Sequence, residues 1–259
     1  MLLGRLTTNA LSTAIVVLHC SLLASSVIAQ EKADKADLAK LTAQLRDKDA
    51  AVRRSAVEAL GQLDDQAGVD LLISALADDN QDVRSAAAIA LGQAGSAKSV
   101  EPLIRMLQSQ RLRDRRSAMI ALGTAGGDKA CEALIPSLQA PTAEERDSAV
   151  AALGGARCAR AFDLLVKALT DEHHFVRASA AMSLGDLGDK RAVEPLLAAL
   201  NNNPTDSVKT GVAVSLGSLG DRRAIEPLDK LLKTEKNENV RQQIEQALGR
   251  LRAIPLDKQ

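Results

Sequence analysis

Apolar and polar positions repeat along the chain with a period of 31 or 32 residues, and seven Leu-Gly pairs mark this period. In the clearest period, apolar residues over 193–200 are spaced i, i+3, i+4 and i+7, which is one face of an amphipathic helix. A polar turn and a second apolar face over 208–216 follow, so each period predicts two short helices. Gly217 is expected to end the second helix. The pairs are Leu60-Gly61, Leu91-Gly92, Leu122-Gly123, Leu153-Gly154, Leu184-Gly185, Leu216-Gly217 and Leu248-Gly249.

A fixed period of this length is typical of solenoids, in which each unit buries its apolar face only against its neighbours. The sequence therefore predicts an all-α fold, a right-handed α-solenoid of about seven stacked helical hairpins. Ala or Ser directly precedes each leucine of the pairs, and such small side chains let successive second helices approach closely. We divide the chain into a signal peptide (1–29), a polar segment with the first helix of the solenoid (30–48), the repeat array (49–251) and a polar tail (252–259).

The amino-terminal stretch predicts export from the cytoplasm. Arg5 lies near the terminal amine and a mostly apolar run follows over 11–28. Val27 and Ala29 are small residues at the third and first positions before a cut after Ala29, as in a secretory signal peptide. We therefore expect a periplasmic or secreted protein with no membrane span in its mature chain. An uncleaved amino-terminal anchor stays open, because the run approaches the roughly 20 apolar residues that cross a bilayer.

Export would leave Cys131 and Cys158 in a compartment where a disulfide persists. In the repeat register, Cys158 lies in the turn before the helix that repeats the one carrying Cys131. A bridge between neighbouring units forms only if the two Cα atoms lie close enough, and the sequence leaves this open. We expect two free thiols that pack as small apolar side chains.

The composition limits the partners. Lys plus Arg and Asp plus Glu both total 33, so no global field attracts the chain to nucleic acid or anionic lipid. The chain has no Trp or Tyr and only two Phe, so the densest basic stretch, over 105–116, lacks the interleaved aromatics on which single-stranded nucleic acid stacks. We expect a protein partner and no nucleic acid.

Several residues stand at helix ends or interrupt the pattern. Asp128, Asp189 and Asp221 precede first helices and are expected to cap them, and Pro136 is expected to kink its helix. Asp114 and Glu145 occupy a position that is valine in five other units, at Val52, Val83, Val176, Val208 and Val240. Because solenoids often carry specificity where the consensus breaks, the third and fourth units are the predicted binding region.

A cation stands seven positions before the leucine of every Leu-Gly pair. This cation row comprises Arg53, Arg84, Arg115, Arg146, Arg177, Lys209 and Arg241. One interpretation is a ladder, in which each cation bonds an acidic side chain or a loop carbonyl of its own or the adjacent unit. The other is a row of guanidinium groups that faces an acidic partner segment. The candidate partner-binding residues are Arg84, Arg115, Arg116, Arg146 and Arg177.

The repeats resemble the HEAT family, specifically the short HEAT-like repeats of phycobilisome lyases. The resemblance covers about 49–251 and implies the solenoid fold. Proteins with such repeats serve as scaffolds, inhibitors, adaptors and a few enzymes, so the resemblance implies no single activity. The matching elements are D-V-R at 82–84, A-L-G at 90–92, L-G-D at 187–189 and A-V-E-P-L-L at 192–197.

Catalytic chemistry finds little support in the residues. Asp171, Glu172, His173 and His174 are consecutive in one turn, where adjacent side chains do not all converge on one metal ion. The resembling iron enzyme deoxyhypusine hydroxylase uses His-Glu pairs, and this chain has no His-Glu dipeptide. We expect a non-catalytic, exported scaffold without a cofactor, which binds an acidic protein partner on the face of the second helices. A HEAT-like oxidoreductase or bilin lyase is the alternative.

Overall fold

The computed structural model describes residues 37–63, 66–202 and 204–255, and these fold as a stack of seven helical hairpins with no strand among them. The predicted all-α solenoid is confirmed. The predicted signal peptide (1–29) lies outside the described residues. Among those residues, no helix has the length and apolar character needed to cross a membrane.

Each unit pairs a first helix with a second helix. The first helices are α1 (37–44), α3 (Gln66–Ala75), α5 (Ala97–Leu107), α7 (Gly127–Leu134), α9 (Phe162–Ala168), α11 (Val193–Ala199) and α13 (Ile225–Thr234). The second helices are α2 (Ala50–Leu60), α4 (Gln81–Ala94), α6 (Leu112–Ala125), α8 (Ala143–Gly155), α10 (His174–Leu187), α12 (Asp206–Leu219) and α14 (Glu238–Arg252). Short 3-10 segments adjoin four first helices, at Ile135–Gln139, Ala159–Ala161, Lys190–Ala192 and Arg222–Ala224.

The second helices form a layer whose members touch at backbone distance. A Cβ added to Gly92 would lie 2.6 Å from the carbonyl oxygen of Ala121, and one added to Gly123 would lie 2.7 Å from the Cα of Ala152. Only glycine permits such an approach. The leucine that precedes each of these glycines is buried in the core.

The prediction that Gly217 ends its helix is wrong. Helix α12 continues to Leu219 and ends at Gly220, which has the left-handed conformation. Gly217 instead lies against the Cα of Ala247, at 3.0 Å from the position of an added Cβ. Packing between units therefore requires the glycine of this pair, and another glycine three residues later ends the helix.

The first helices begin and end partly as predicted. Asp189 and Asp221 accept hydrogen bonds from the main-chain amides of Arg191 and Arg223, so both are caps. Asp128 is not a cap, because it lies inside the first turn of α7, which begins after Gly126. After Leu134 the helix changes to the 3-10 segment that contains Pro136, which agrees with the predicted disruption.

A disulfide joins Cys131 of α7 to Cys158 in the turn before α9. Their Cα atoms lie 5.6 Å apart, within the range that a disulfide spans without backbone movement. The expectation of two free thiols is therefore wrong. The bridge ties the first helix of the fourth unit to the entry of the fifth.

Candidate partner-binding surfaces

The cation row is anchored first by its own turns. In the six arginines of the row, Nη1 donates to the main-chain carbonyl six residues earlier, at 2.7 to 3.3 Å. Those carbonyls belong to the turn between the two helices of the unit, so each guanidinium group fixes the turn before its own helix. These hydrogen bonds offset the cost of placing a cation near the positive end of a helix dipole.

A carboxylate of the following unit binds the other edge of most of these cations. Arg53 Nε donates to Asp78 at 2.7 Å, Arg146 Nε donates to Asp171 at 2.8 Å, and Lys209 Nζ donates to Glu235 at 2.8 Å. These three carboxylates occupy the same place in the turn before the next second helix. The ladder interpretation is confirmed for the row, since each cation bonds a carboxylate or a turn carbonyl.

The two breaks in the consensus supply the same contact from a different position. Where Asp78 and Asp171 stand in the regular units, the third and fourth units carry Ser109 and Ala140. Arg84 instead pairs with Asp114 at 3.0 Å, and Arg115 pairs with Glu145 at 2.6 Å. Both acids lie in the first turn of a second helix and are buried. The break therefore moves the carboxylate by five residues and keeps the ion pair.

The ladder lowers the pKa values of its carboxylates. The hydrogen bond from Arg53 lowers the pKa of Asp78 to about 2. The hydrogen bond from Arg115 lowers the pKa of Glu145 although burial opposes it. For Asp171, burial raises the pKa, but the hydrogen bonds from Arg146 and from the main-chain amide of His173 together outweigh it, and the net pKa is lowered.

The predicted partner-binding residues occupy different environments. Arg84 is 4% exposed and is held by Asp114. Arg115 and Arg146 are partly exposed and are ion-paired, whereas Arg116 donates from Nε to Ser148 Oγ of the next second helix at 3.1 Å. Arg177 is partly exposed and donates to the carbonyls of Asp171 and Glu172. Contact of these five residues with a partner stays a prediction.

A line of exposed apolar side chains crosses the second helices, and the sequence reasoning missed it. Ile89 is 42% exposed, Ile120 is 51% exposed and Met182 is 46% exposed. All three stand two positions before the leucine of a Leu-Gly pair, so the repeat places them in one line. Ala151 and Val214 hold the same position in the fourth and sixth units. We call Ile89, Ile120, Ala151, Met182 and Val214 the apolar stripe.

Polar residues bound the apolar stripe at both ends. Glu58 and Gln246 hold the equivalent position in the first and seventh units. With second helices 8–10 Å apart, the five positions extend over roughly 30 to 40 Å. At the first end, Ile89 adjoins a groove of about 320 Å³ between α2 and α4, which Arg54 and Glu58 also line.

Charged residues of opposite sign flank the middle of the stripe. On α6, Arg113 and Arg116 lie seven and four residues before Ile120, on the same side of the helix. On α8, Glu144 and Asp147 hold the same two positions relative to Ala151. The second-helix face therefore presents a basic patch in the third unit beside an acidic patch in the fourth.

The cluster over 171–174 serves the fold. Asp171 pairs with Arg146, and the rings of His173 and His174 pack against Phe175 with centroids 5.4 and 5.6 Å away. Within the described part of the chain, no group of three or more His, Cys, Asp or Glu side chains is arranged to hold a metal ion.

Comparison with known families and structures agrees with this architecture. The HEAT repeats family matches residues 38–123 and 131–217, and the PBS lyase HEAT-like repeat family matches 114–140 and 208–234. No curated protein sequence matches the chain at a significant level.

Solved structures with similar folds share little sequence with this chain. One is in the complex of CpcE and CpcF of phycocyanin lyase from Nostoc sp. PCC7120, with 24% identity, a TM-score of 0.55 and coverage of 82% of this chain and 93% of that one. Another is the E. coli protein YibA, with 22% identity, a TM-score of 0.57 and coverage of 85% and 82%. At these identities the likeness shows the fold alone.

Proposed function

Because the chain belongs to the HEAT repeat family, we propose that it is a non-catalytic scaffold that binds a protein partner along the face of its second helices. The observation that supports this most directly is the apolar stripe. Three of the four large apolar side chains that the described residues expose stand at one position of the repeat. Scattered exposed apolar residues are ordinary on a protein surface, whereas an aligned set is typical of an interface.

The physical basis of recognition would be a preformed apolar line with charges at fixed places beside it. The ladder and the backbone contacts between second helices hold the units rigidly, so little ordering is needed on binding. Ile120 and Met182 are the anchors, and the basic patch at Arg113 and Arg116 selects an acidic region of the partner. The CpcE and CpcF chains form a complex, which is consistent with a binding role for this type of solenoid.

Affinity capture from cell-envelope extract tests this proposal. We expect the protein from 30 to 259 to retain a stoichiometric partner, and we expect the double variant Ile120→Glu, Met182→Glu to lose it. Gln246→Glu is the matched control, because Gln246 is exposed and holds the same repeat position in the seventh unit, beyond the end of the stripe. Equal retention by all three proteins would show that the stripe does not bind, as would equal loss in the control.

The absence of catalysis is a second part of the proposal. Support comes from the sequence, which has no His-Glu dipeptide, whereas the resembling hydroxylase uses such pairs for iron. Elemental analysis and an absorption spectrum of the protein purified from its native cell would test it. A stoichiometric metal or a bound chromophore would favour the HEAT-like enzyme instead.

We also propose that the protein is exported, to the periplasm or the medium. The Cys131–Cys158 disulfide supports this, because such bonds persist in oxidising compartments and are rare in the cytosol. Cell fractionation followed by intact-mass measurement is the test. We expect a chain that begins at Gln30 with the disulfide formed, and a full-length, reduced chain in the cytosol would contradict export.

A further inference from the structure

We infer that Arg177 binds a carboxylate side chain of an acidic segment of the partner, at the turn edge between the fifth and sixth units. This inference rests on the proposed function, because the partner supplies the carboxylate. The site lies away from the apolar stripe. It follows from the sixth unit, which has no acidic residue at either of the positions that supply the ladder carboxylate in other units.

Arg177 is held in the pose of the other ladder arginines. Its Nη1 donates to Asp171 O at 2.7 Å and to Glu172 O at 3.0 Å. Arg146 makes the same two hydrogen bonds to its own turn, at 3.1 and 3.2 Å. The guanidinium plane of Arg177 is therefore fixed before any ligand arrives, which lowers the entropy lost on binding.

For five other cations of the row, the next unit supplies a carboxylate. Arg146 Nε and Nη2 donate to the two oxygens of Asp171 at 2.8 and 3.0 Å, which is a bidentate pair. The residue that corresponds to Asp171 one unit later is Asn203, and the whole stretch 198–205 contains no Asp or Glu. Val208 holds the alternative position that Asp114 and Glu145 use.

Arg177 is thus the ladder cation for which the facing unit provides no acid at either position. No ion pair of Arg177 with a carboxylate occurs among the described residues, and the residue is partly exposed. A planar guanidinium group whose Nη1 is already engaged presents Nε and Nη2 as a fork that fits one carboxylate. An acidic side chain of the partner would give Arg177 the carboxylate contact that five other cations of the row receive from the next unit of this chain.

The test uses acetylated, amidated tetraglutamate as the probe and isothermal titration as the measurement. We expect saturable binding to the protein, and at least tenfold weaker binding to Arg177→Gln. The decisive variant is Asn203→Asp, which gives the sequence an acid at the repeat position that Asp171 holds one unit earlier. It is expected to weaken tetraglutamate binding at least tenfold while it raises the melting temperature, so loss of binding there does not reflect loss of fold.

Three controls distinguish a carboxylate site at Arg177 from general attraction of anions to the surface. Asn203→Ser adds no charge and should leave binding unchanged. Arg250→Gln removes an exposed cation of α14, away from the basic patch and the cation row, and a loss equal to that of Arg177→Gln would show general electrostatic attraction and overturn the inference. Inorganic phosphate is the second probe, and binding of phosphate without tetraglutamate would also overturn it.

Failure of this inference is separable from failure of the scaffold proposal. Ile120→Glu should leave tetraglutamate binding unchanged, because Ile120 lies on another face and three units away from the turn at 198–205. Retained partner capture without tetraglutamate binding would overturn only the role of Arg177. Tetraglutamate binding without partner capture would count only against the stripe.

Discussion

At the scale of one residue, Asp114 departs from the valine of the regular units and yet preserves the ion pair between neighbouring units. Asp114 and Arg84 are each 4% exposed and pair at 3.0 Å. Replacing Asp114 by the valine of the regular units would leave Arg84 buried without a carboxylate. We expect Asp114→Val to lower the free energy of unfolding by about 3 kcal/mol, since breaking one side of a buried ion pair is strongly destabilising.

A second substitution makes this prediction specific. Ser109 holds the place of the regular turn carboxylate, and its Oγ already lies 3.2 Å from Asp114 Oδ2. The double variant Ser109→Asp, Asp114→Val should recover more than half of the lost stability in urea unfolding. A double variant as unstable as Asp114→Val alone would show that the two positions do not exchange the carboxylate.

The ladder also predicts how stability depends on pH. The pKa of Asp78 falls from an ordinary 3.8 to about 2 on folding, because Arg53 donates to it. A lowered folded pKa gives stability that is fully present above pH 3.8 and is lost as the pH falls through 2. The urea midpoint of Asp78→Asn should therefore lie below that of the wild type at neutral pH, and the difference should close between about pH 4 and pH 2.

Asp79→Asn is the control for the pH dependence. Asp79 bonds the same arginine but is 90% exposed, and exposed ion pairs contribute little to stability. We expect a smaller difference from the wild type at pH 7 for Asp79→Asn than for Asp78→Asn. Equal differences for the two variants would show that the loss of stability comes from the change in net charge and not from the ion pair between Arg53 and Asp78.

At the scale of a helix, the glycines of the Leu-Gly pairs set the distance between second helices. A Cβ at Gly92 would meet the carbonyl oxygen of Ala121 at 2.6 Å and its Cα at 2.8 Å. These are backbone atoms, so α4 and α6 must separate. Gly92→Ala is expected to cost about 1–3 kcal/mol, as overpacking does.

Gly249→Ala gives the opposite sign at the same repeat position. No atom lies within 4 Å of an added Cβ there, because α14 has no second helix after it in the described chain. Alanine should stabilise this helix by about 0.5–1 kcal/mol through its helix propensity. Thermal unfolding of both variants checks the pair, and a destabilising Gly249→Ala would show that these glycines act through backbone conformation instead of packing.

The sequence predicted the helices well because periodic burial determines them, and it failed where partners are distant along the chain. Gly217 was interpreted as a helix end. Its contact with Ala247 of the next unit lies 30 residues away along the chain, and nothing in the sequence around Gly217 indicates it. Asp114 was recognised as a break, but its partner Arg84 stands 30 residues earlier. The Cys131–Cys158 disulfide was not predicted, because the distance between the two Cα atoms decides whether such a bond forms and the sequence does not give it. The apolar stripe could have been found, because Ile89, Ile120 and Met182 share one position of the repeat.

For the whole molecule, the repeat separates two tasks. Ladder cations lie at the turns and bond neighbouring units, whereas the apolar stripe lies across the exposed side of the second helices. Equal numbers of acidic and basic residues leave no net charge, so electrostatic recognition must be local. The basic and acidic patches on α6 and α8, together with Arg177, are the places where this chain departs from a uniform surface.

The stack also determines how far a perturbation spreads. In the described chain each second helix packs mainly against the second helices before and after it, as α10 does against α8 and α12. Stability in such an array is a sum over units and their interfaces, so damage should stay local. In amide hydrogen exchange, Asp114→Val should lose protection in α4 and α6 while α12 and α14 keep theirs. If protection fell equally in all helices, the solenoid would unfold as one cooperative unit, and the independent contribution of each interface would have to be abandoned.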